Sequence, residues 1–411
     1  MVILYGLGIR LYLLIVWLVS PFNSKASLWL NGRKRWPERL RKAIDRSAPT
    51  AWFHCASLGE FEQGRPLIEA YKEKYPDHKI LITFFSPSGY EVRKNYLGAN
   101  YVFYLPIDTK HNAKRFISVV NPVVAIFIKY EFWHHLLNEL KHKSIPTYLV
   151  SAIFRPGQIF FRWYGFWNRK MLHCFSHIFV QNDNSKQLLN SINRFNVDVT
   201  GDTRFDRVYA TAKTSENLPL LDEFCQDFPI IVAGSTWPKD EELLISFIKN
   251  TNLRVKLIIA PHEINENRVK TIIQTIGISS IRFTKPDMQL VKDSKVLIID
   301  TMGHLSSAYR YGNIAYVGGG FGSGIHNTLE PATFGLPILF GPNYHKFREA
   351  KELIELKAAY SIDDENELVS KFNSLLNNRN QLANAGAISS MYVEKNIGAT
   401  QKVLSMITPK P

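Results

Sequence analysis

From residue 50 onward, short apolar runs alternate with longer stretches whose apolar residues recur at helical spacing. In the first half the runs fall at 51–56, 80–85, 102–105, 123–128, 147–150 and 178–180, with helical segments such as 64–75 and 132–143 between them. Residues 211–228, TAKTSENLPLLDEFCQDF, break the rhythm and read as a linker. The alternation resumes at 230–233, 256–260, 296–299, 314–317 and 338–340. Short apolar strands separated by helices predict parallel sheets covered on both faces. The predicted fold class is α/β, with two Rossmann-like domains, 23–210 and 229–390, facing each other across a cleft. A C-terminal helix and tail at 391–411 completes the chain. In such sheets ligands bind at the carboxyl ends of the strands, which puts the expected site in that cleft.

The other strong pattern lies at the start. Residues 2–20, VILYGLGIRLYLLIVWLVS, are almost all apolar, with Arg10 as the only charge. About 20 apolar residues are enough to cross a bilayer. Arg10 near the middle makes full spanning costly, although a long side chain can reach the interface. A signal peptide carries its positive charge earlier. Here the positive charges follow the apolar run, which places the body of the protein in the cytoplasm. The expectation is an uncleaved anchor or interfacial helix over 1–22. A helix packed against the first domain is the alternative.

With 411 residues, 45% of them hydrophobic, the chain is long for one core and suits two. A net charge of +14 fits nucleic acid, an anionic membrane face or a phosphorylated substrate. No zinc spacing, RNA-recognition signature or long Lys/Arg run favours nucleic acid. Much of the excess follows the apolar start, at Lys25, Arg33, Lys34, Arg35, Arg39, Arg41, Lys42 and Arg46. Three distant cysteines, Cys55, Cys174 and Cys225, read as reduced thiols. Cys55, inside an apolar run, reads as a core residue.

Several predicted strands end in groups that carry chemistry. The first ends in Ser57-Leu58-Gly59-Glu60. Gly59 allows a tight strand-to-helix turn and places Glu60 at the sheet edge, where a carboxylate can take a proton from a substrate hydroxyl. A carboxylate that merely complements a helix dipole reads the same. The second ends in Thr83-Phe84-Phe85-Ser86-Pro87-Ser88-Gly89, whose hydroxyls and helix start make a candidate sugar or anion pocket or an ordinary Ser cap. The fourth ends in Lys129-Tyr130-Glu131-Phe132-Trp133, where Lys129 and Glu131 share one face of an extended segment and can pair or touch substrate. Residues 154–171 interleave Arg155, Arg162, Arg169 and Lys170 with aromatics, which suits a lipid headgroup, a single-stranded nucleic acid or a helix with a solvated basic face. In the second half, Ser235 or Thr236 is expected to cap a helix holding Pro238, and Asp300-Thr301-Met302-Gly303 to open another. Six glycines between Gly318 and Gly335 suggest close backbone approach to a nucleotide, with His326, Asn327 and Glu330 reading ribose and phosphate. His134 and His135 are adjacent and point differently on a helix, and no metal-binding spacing appears.

Taken in order, HCASLGEFEQGRP (54–66), SPSG (86–89), EFW (131–133), GDTRFDRV (201–208), GSTWP (234–238), DTMG (300–303) and HNTLEPA (326–332) resemble the Kdo transferases, the 3-deoxy-D-manno-oct-2-ulosonic acid transferases of lipopolysaccharide synthesis. The resemblance runs to about residue 400. It implies a glycosyltransferase-B fold, an acceptor domain for a lipid A precursor, and a donor domain for CMP-Kdo. It implies an inverting, metal-independent enzyme at the inner membrane, with no cofactor and no nucleic-acid partner. Glu60 matches the catalytic base and Glu131 a second acidic residue needed for activity. Ser235, Thr236, Met302, Gly303, Asn327 and Glu330 match positions around CMP, and His262, His326 and Lys346 complete the expected donor set. Gly59, Ser86, Ser88, Lys129 and Arg155 form the expected acceptor set. The chain departs from the commoner pattern at Lys129, usually acidic, at His134, usually proline, at His262-Glu263, usually Arg-His, at His304, usually acidic, and at Lys346, usually asparagine. A nucleotide-sugar 2-epimerase on the same fold, or a membrane-associated lipid- or RNA-binding protein, are the competing functions.

Overall fold

A computed structural model describes residues 1–410. The chain divides into two compact units. The first holds Met1–Arg207 together with the chain from Ile397 onward, and the second holds Val208–Asn396. The division falls within the helix Thr203–Lys213, and the stretch expected as a linker carries a further helix, Pro219–Cys225, with Leu221 and Phe224 fully buried.

The first unit is built on seven strands: β1 Thr50–Cys55, β2 Lys79–Phe84, β3 Tyr101–Tyr104, β4 Val124–Ile128, β5 Thr147–Ala152, β6 His177–Val180 and β7 Val197–Val199. All pair in parallel, in the order β3-β2-β1-β4-β5-β6-β7. The apolar runs are continuous because both faces are covered. Side chains of β1 alternate between two cores: Ala51, Phe53 and Cys55 face one, Trp52 the other. Cys55 is a buried core residue as expected, and burial pushes its thiol well up from its ordinary value.

The second unit repeats the plan with β8 Ile230–Thr236, β9 Lys256–Pro261, β10 Ser280–Arg282, β11 Val296–Ile298, β12 Ile314–Val317, β13 Ile338–Phe340 and β14 Ala359–Ser361. The order is β10-β11-β9-β8-β12-β13-β14, again parallel throughout.

The helix Val2–Val19 is long and apolar enough to cross a membrane, and none of its residues is buried. At about 1.5 Å per residue its 18 residues reach about 27 Å. One stripe touches the first unit. The Tyr5 hydroxyl donates to Asp108 Oδ2 at 2.6 Å, and Tyr12 lies against Trp29 and Phe85. The rest, including Ile3, Leu7, Leu11, Leu14 and Trp17, is exposed.

Two basic stretches are placed by the structure. Arg33, one of the basic residues that follow the apolar start, faces inward. It is buried, donates to the carbonyls of Leu105, Trp29 and Phe85 at 2.8–2.9 Å, and lies 3.9 Å over the Trp29 ring; burial lowers its guanidinium to about 9. Residues 154–171 do not form one amphipathic helix. They break into a 3-10 turn, Ile159–Phe161, and the start of the helix Phe166–Leu172. Arg169 is turned back on the break, donating to the Phe160 and Arg162 carbonyls. Trp163, by contrast, is 89% exposed.

Candidate active site

In the first sheet the strand order reverses at β1, with β2 on one side and β4 on the other. Loops leaving the carboxyl ends of β1 and β4 run to opposite faces, and the crevice between them is where such sheets bind ligands. The β1 exit turns straight into the helix Leu58–Lys74. Ser57 is its N-cap, and its Oγ faces the Glu60 N–H at 3.5 Å. Glu60, in the first turn, folds back so that Oε2 accepts the Ala56 N–H at 2.5 Å. Oε1 has no protein donor among the described residues. Burial pushes the Glu60 carboxyl above its ordinary value, and the negative charge of Glu131 adds to this; the Ala56 N–H, His54 and Lys129 pull the other way. Gly59 is exposed, with open space where a side chain would lie.

The β4 exit supplies the second carboxylate. Lys129 donates its N–H to the Val150 carbonyl, but its φ is 67°. That left-handed residue breaks the extended path, so Lys129 and Glu131 do not share a face as the sequence suggested. Glu131 is held from below instead. Its Oε2 lies 2.9 Å from His54 Nε2 and accepts the Trp133 indole N–H at 2.6 Å. His54 is 0% exposed, and its Nδ1 lies 3.0 Å from the Thr83 carbonyl and 2.9 Å from Thr83 Oγ1. Trp52 donates its indole N–H to the same hydroxyl at 2.8 Å. Sequence reasoning gave His54 no role and counted Thr83 only among the hydroxyls of a candidate sugar or anion pocket. The available signal was a polar pair, one in each of two neighbouring apolar strands.

The remaining acceptor candidates scatter. Ser86 caps the helix Pro87–Arg93: its Oγ accepts the Ser88 N–H at 3.2 Å and meets Ser88 Oγ at 3.0 Å, so both hydroxyls serve the cap. The Ser86 N–H donates to the Ala56 carbonyl at 2.7 Å, which ties this cap beside the Glu60 turn. Arg155 is exposed on the loop after β5. With Arg204 it pulls the Tyr130 phenol down against a larger rise from burial.

The second sheet reverses at β8, between β9 and β12. Ser235 has φ 53° and is the bulged residue, since Gly234 pairs with Ala260 while Thr236 pairs with Pro261. Neither Ser235 nor Thr236 caps the helix Pro238–Asn250; Trp237 is its N-cap. Thr236 Oγ1 donates to Glu241, which also takes Arg268. Asp240 organises the turn, accepting the N–H groups of Trp237 and Gly319 at 2.9 Å and the Tyr316 hydroxyl at 2.7 Å.

In the glycine-rich turn after β12, two glycines lie against neighbouring backbone. A Cβ on Gly318 would lie 2.3 Å from the Ser235 carbonyl oxygen, and one on Gly320 would lie 2.5 Å from the Gly341 nitrogen. These two glycines let protein loops touch each other at the switch point. The turn delivers His326 to a stack of three rings. His262 lies 4.3 Å from His326 and 4.9 Å from Trp237, both at 25°, and the Trp237 indole N–H donates to His326 Nε2 at 3.0 Å. Burial lowers the His326 imidazole, and His262 lowers it further, which suits its role as acceptor.

Asn327 bridges the next turn, accepting the Leu329 N–H and donating to Glu330 Oε1 at 2.9 Å; Glu330 opens the helix Leu329–Thr333. Met302, 78% exposed, and Gly303, φ 95°, form a turn after β11, but the helix they were expected to open begins at Leu305. Lys346 is exposed beyond β13, without a partner among the described residues. The donor candidates thus follow the carboxyl ends of five neighbouring strands, β11, β9, β8, β12 and β13.

Residues 34–207 match the family described as 3-deoxy-D-manno-octulosonic-acid transferase (kdotransferase). The chain is 28% identical over 358 residues to the 3-deoxy-D-manno-octulosonic acid transferase of Aquifex aeolicus, covering 84% of this chain and 92% of the relative. It is 26% identical over 401 residues to that of Haemophilus influenzae, covering 92% and 91%. Among solved structures it superposes on the UDP-GlcNAc 2-epimerase of Neisseria meningitidis with a TM-score of 0.61 at 16% identity, over 87% of this chain and 98% of that one. Acinetobacter baumannii MurG gives 0.54 at 15%, over 87% and 99%. At such identities these structures speak to the fold alone, an α/β fold of glycosyltransferase-B type. The sequence relatives, however, are transferases. The chain is accordingly a homologue of the Kdo transferases, carrying that family's domain at residues 34–207, and an enzyme of the glycosyltransferase class.

Proposed function

We propose that this enzyme transfers Kdo from CMP-Kdo to a phosphorylated lipid A precursor, inverting the anomeric centre, with Glu60 as general base. The observation that carries the proposal is the Glu60 turn. One carboxylate oxygen is fixed by the Ala56 N–H, and the other is left for a substrate hydroxyl. An acceptor hydroxyl gives its proton to Glu60 as its oxygen attacks the Kdo anomeric carbon. The bond from that carbon to the CMP phosphate oxygen breaks, and CMP departs.

Ser235, Thr236, His262, Met302, Gly303, His326, Asn327, Glu330 and Lys346 are assigned to the donor, with the charge of Lys346 directed at the phosphate. Glu131 is assigned to the site with Glu60, and Gly59, Ser86, Ser88, Lys129 and Arg155 to the acceptor. No metal is assigned a role. The exposed apolar helix Val2–Val19 and the basic chain are assigned to the cytoplasmic face of the inner membrane, where each Lys or Arg near an anionic surface adds about 1 kcal/mol of attraction. The test is mass spectrometry of a lipid A precursor incubated with the enzyme and CMP-Kdo. A mass increase of one or more Kdo units is expected. An unchanged acceptor with recovered, epimerised donor would sink the proposal.

A further inference from the structure

A cleft of about 580 Å³ lies in the first unit where the helix Val2–Val19 begins, with Val2 on its rim. Small-molecule sites run from about 300 to 1,000 Å³, so the volume suits a compact polar headgroup. Its walls are two packed helices, Lys110–Val120 and His134–His142. The first gives Lys110 and Lys114, one turn apart. The second gives His134, Asn138 and Lys141 at i, i+4 and i+7, with His135 and His142 beside them, so one face of the helix lines the cleft. Asp108, just before the first helix, ties the walls to the apolar helix. It accepts the His135 and Leu136 N–H groups at 2.9 Å and the Tyr5 hydroxyl at 2.6 Å. The Tyr5 ring also lies 5.5 Å from His134 and 5.7 Å from His135. Because Asp108 satisfies the start of the second helix, attraction for an anion here comes from side chains.

Those side chains are cationic. Lys110, Lys114 and Lys141 are exposed, and among the described residues none has a carboxylate partner; Glu139 is the one acid on the wall. Lys141 and His142 lie in a last turn, where a helix dipole favours cations. Lys110 is the first residue of its helix, where the dipole disfavours one, so the local fold gives no reason for its charge. Burial and the neighbouring His135 lower the His134 imidazole, against a smaller upward pull from Asp108, so His134 offers hydrogen bonds rather than charge. Beyond Val2 the helix turns Ile3, Leu7, Leu11 and Leu14 outward. A basic cleft thus adjoins an open apolar face. A free anion would use the cleft alone, whereas a membrane lipid uses both.

We propose that the cleft holds the phosphate headgroup of an anionic membrane lipid, with the acyl chains of that lipid along the exposed side of the helix Val2–Val19. The proposal rests on the reading of that helix as a membrane segment and is independent of Glu60. The three lysines act as point charges on the phosphate, and the histidines and Asn138 line the wall with hydrogen-bonding groups. Basic pockets beside membrane segments hold lipid headgroups through this chemistry.

The experiment uses the full chain, floated with vesicles of phosphatidylcholine alone or mixed with phosphatidylglycerol. Lys110→Gln/Lys114→Gln/Lys141→Gln is expected to weaken binding to the mixed vesicles by about 100-fold, as for three cations removed from an anionic surface, and to leave binding to phosphatidylcholine unchanged. Lys34→Gln/Arg41→Gln/Lys42→Gln removes the same charge from exposed residues outside the cleft and should weaken binding clearly less. An equal loss would mean delocalised attraction and would overturn the proposal. Native mass spectrometry of the detergent-solubilised chain with added phosphatidylglycerol reads the cleft directly. One lipid should stay on the wild type, survive millimolar inorganic phosphate and be missing from the cleft variant. Retention by that variant, or release by inorganic phosphate, would overturn the headgroup site. Displacement by a lipid A precursor would make the cleft part of the acceptor site and overturn it equally. A wild type that floats with neither vesicle would instead refute the membrane reading of Val2–Val19, and the proposal with it.

Discussion

At the scale of single residues, Glu60, the proposed base, stands at a position that costs the fold stability. Its carboxyl is pushed up by burial and by Glu131. A raised carboxyl means the folded state binds the proton more tightly than the unfolded chain. Stability therefore falls as pH rises from the ordinary glutamate range through the folded value, and the deficit persists above it. Glu60→Gln keeps an oxygen for the Ala56 N–H and removes the charge. Its melting temperature should match or exceed that of the wild type at neutral pH, with the advantage vanishing in acid below the ordinary glutamate value. Turnover should fall about 100- to 10,000-fold, the usual worth of a general base, with CMP affinity retained. Calorimetry across pH and a transfer assay read the two effects, and a variant that is both inactive and markedly less stable would contradict the argument. The position of Glu60 was legible because a Ser-x-x-Glu turn after an apolar strand has few geometries. His54 was not, because a histidine within an apolar strand carries no local sign of which neighbour its ring will reach.

At the scale of elements, the central strands were legible and the edges were not. β7, β10 and β14 escaped the pattern. Each has three residues and lies at a sheet edge, where less apolar surface is demanded of the sequence. The glycine turn after β12 was located correctly, but a sequence does not say which of its glycines make room for another loop. Gly318 makes room for the bulge at Ser235. Gly318→Ala would drive a methyl into the Ser235 carbonyl and the Thr236 Cα, from which its Cβ would be 2.3 and 2.6 Å. The loops must part, at about 1–3 kcal/mol for overpacking of this kind. Gly319, Asp240, Trp237 and His326 lie on the same two loops, and His262, from the loop after β9, completes the ring stack. The expected outcome is weakened CMP binding, measured by titration calorimetry, together with a lower melting temperature. Unchanged CMP affinity would show that the stack and the bulge lie outside the donor site.

At the scale of the whole molecule, the two ends of the chain both belong to the first unit and do different work. Residues 2–20 were legible as a long apolar helix from composition alone; with that helix as the proposed anchor, its removal should shift the enzyme from the membrane fraction to the soluble one, and an unchanged distribution would count against an anchor. The far end was read only as a helix and tail. In the structure the chain leaves the first unit after Arg207, returns at Ile397, and forms the helix Ala399–Met406. That helix begins at Gly398, φ 100°, which has no side chain to cap it. Asp206 does so from 192 residues earlier in the chain. Its carboxylate accepts the Gly398 N–H at 2.5 Å, and the Thr400 N–H and hydroxyl at 2.7 and 2.6 Å. Val403, Leu404 and Ile407 then join the core that also contains Leu67 and Tyr71 of the helix Leu58–Lys74, the one whose first turn holds Glu60. Asp206→Ala should cost about 1–2 kcal/mol, the worth of a helix cap. The loss should appear as faster hydrogen exchange in Ala399–Met406 and in the packed face of Leu58–Lys74. Because the donor candidates all lie in the second unit, CMP affinity should hold while kcat falls. Protection unchanged in both helices would show that Asp206 does not clasp the returning chain.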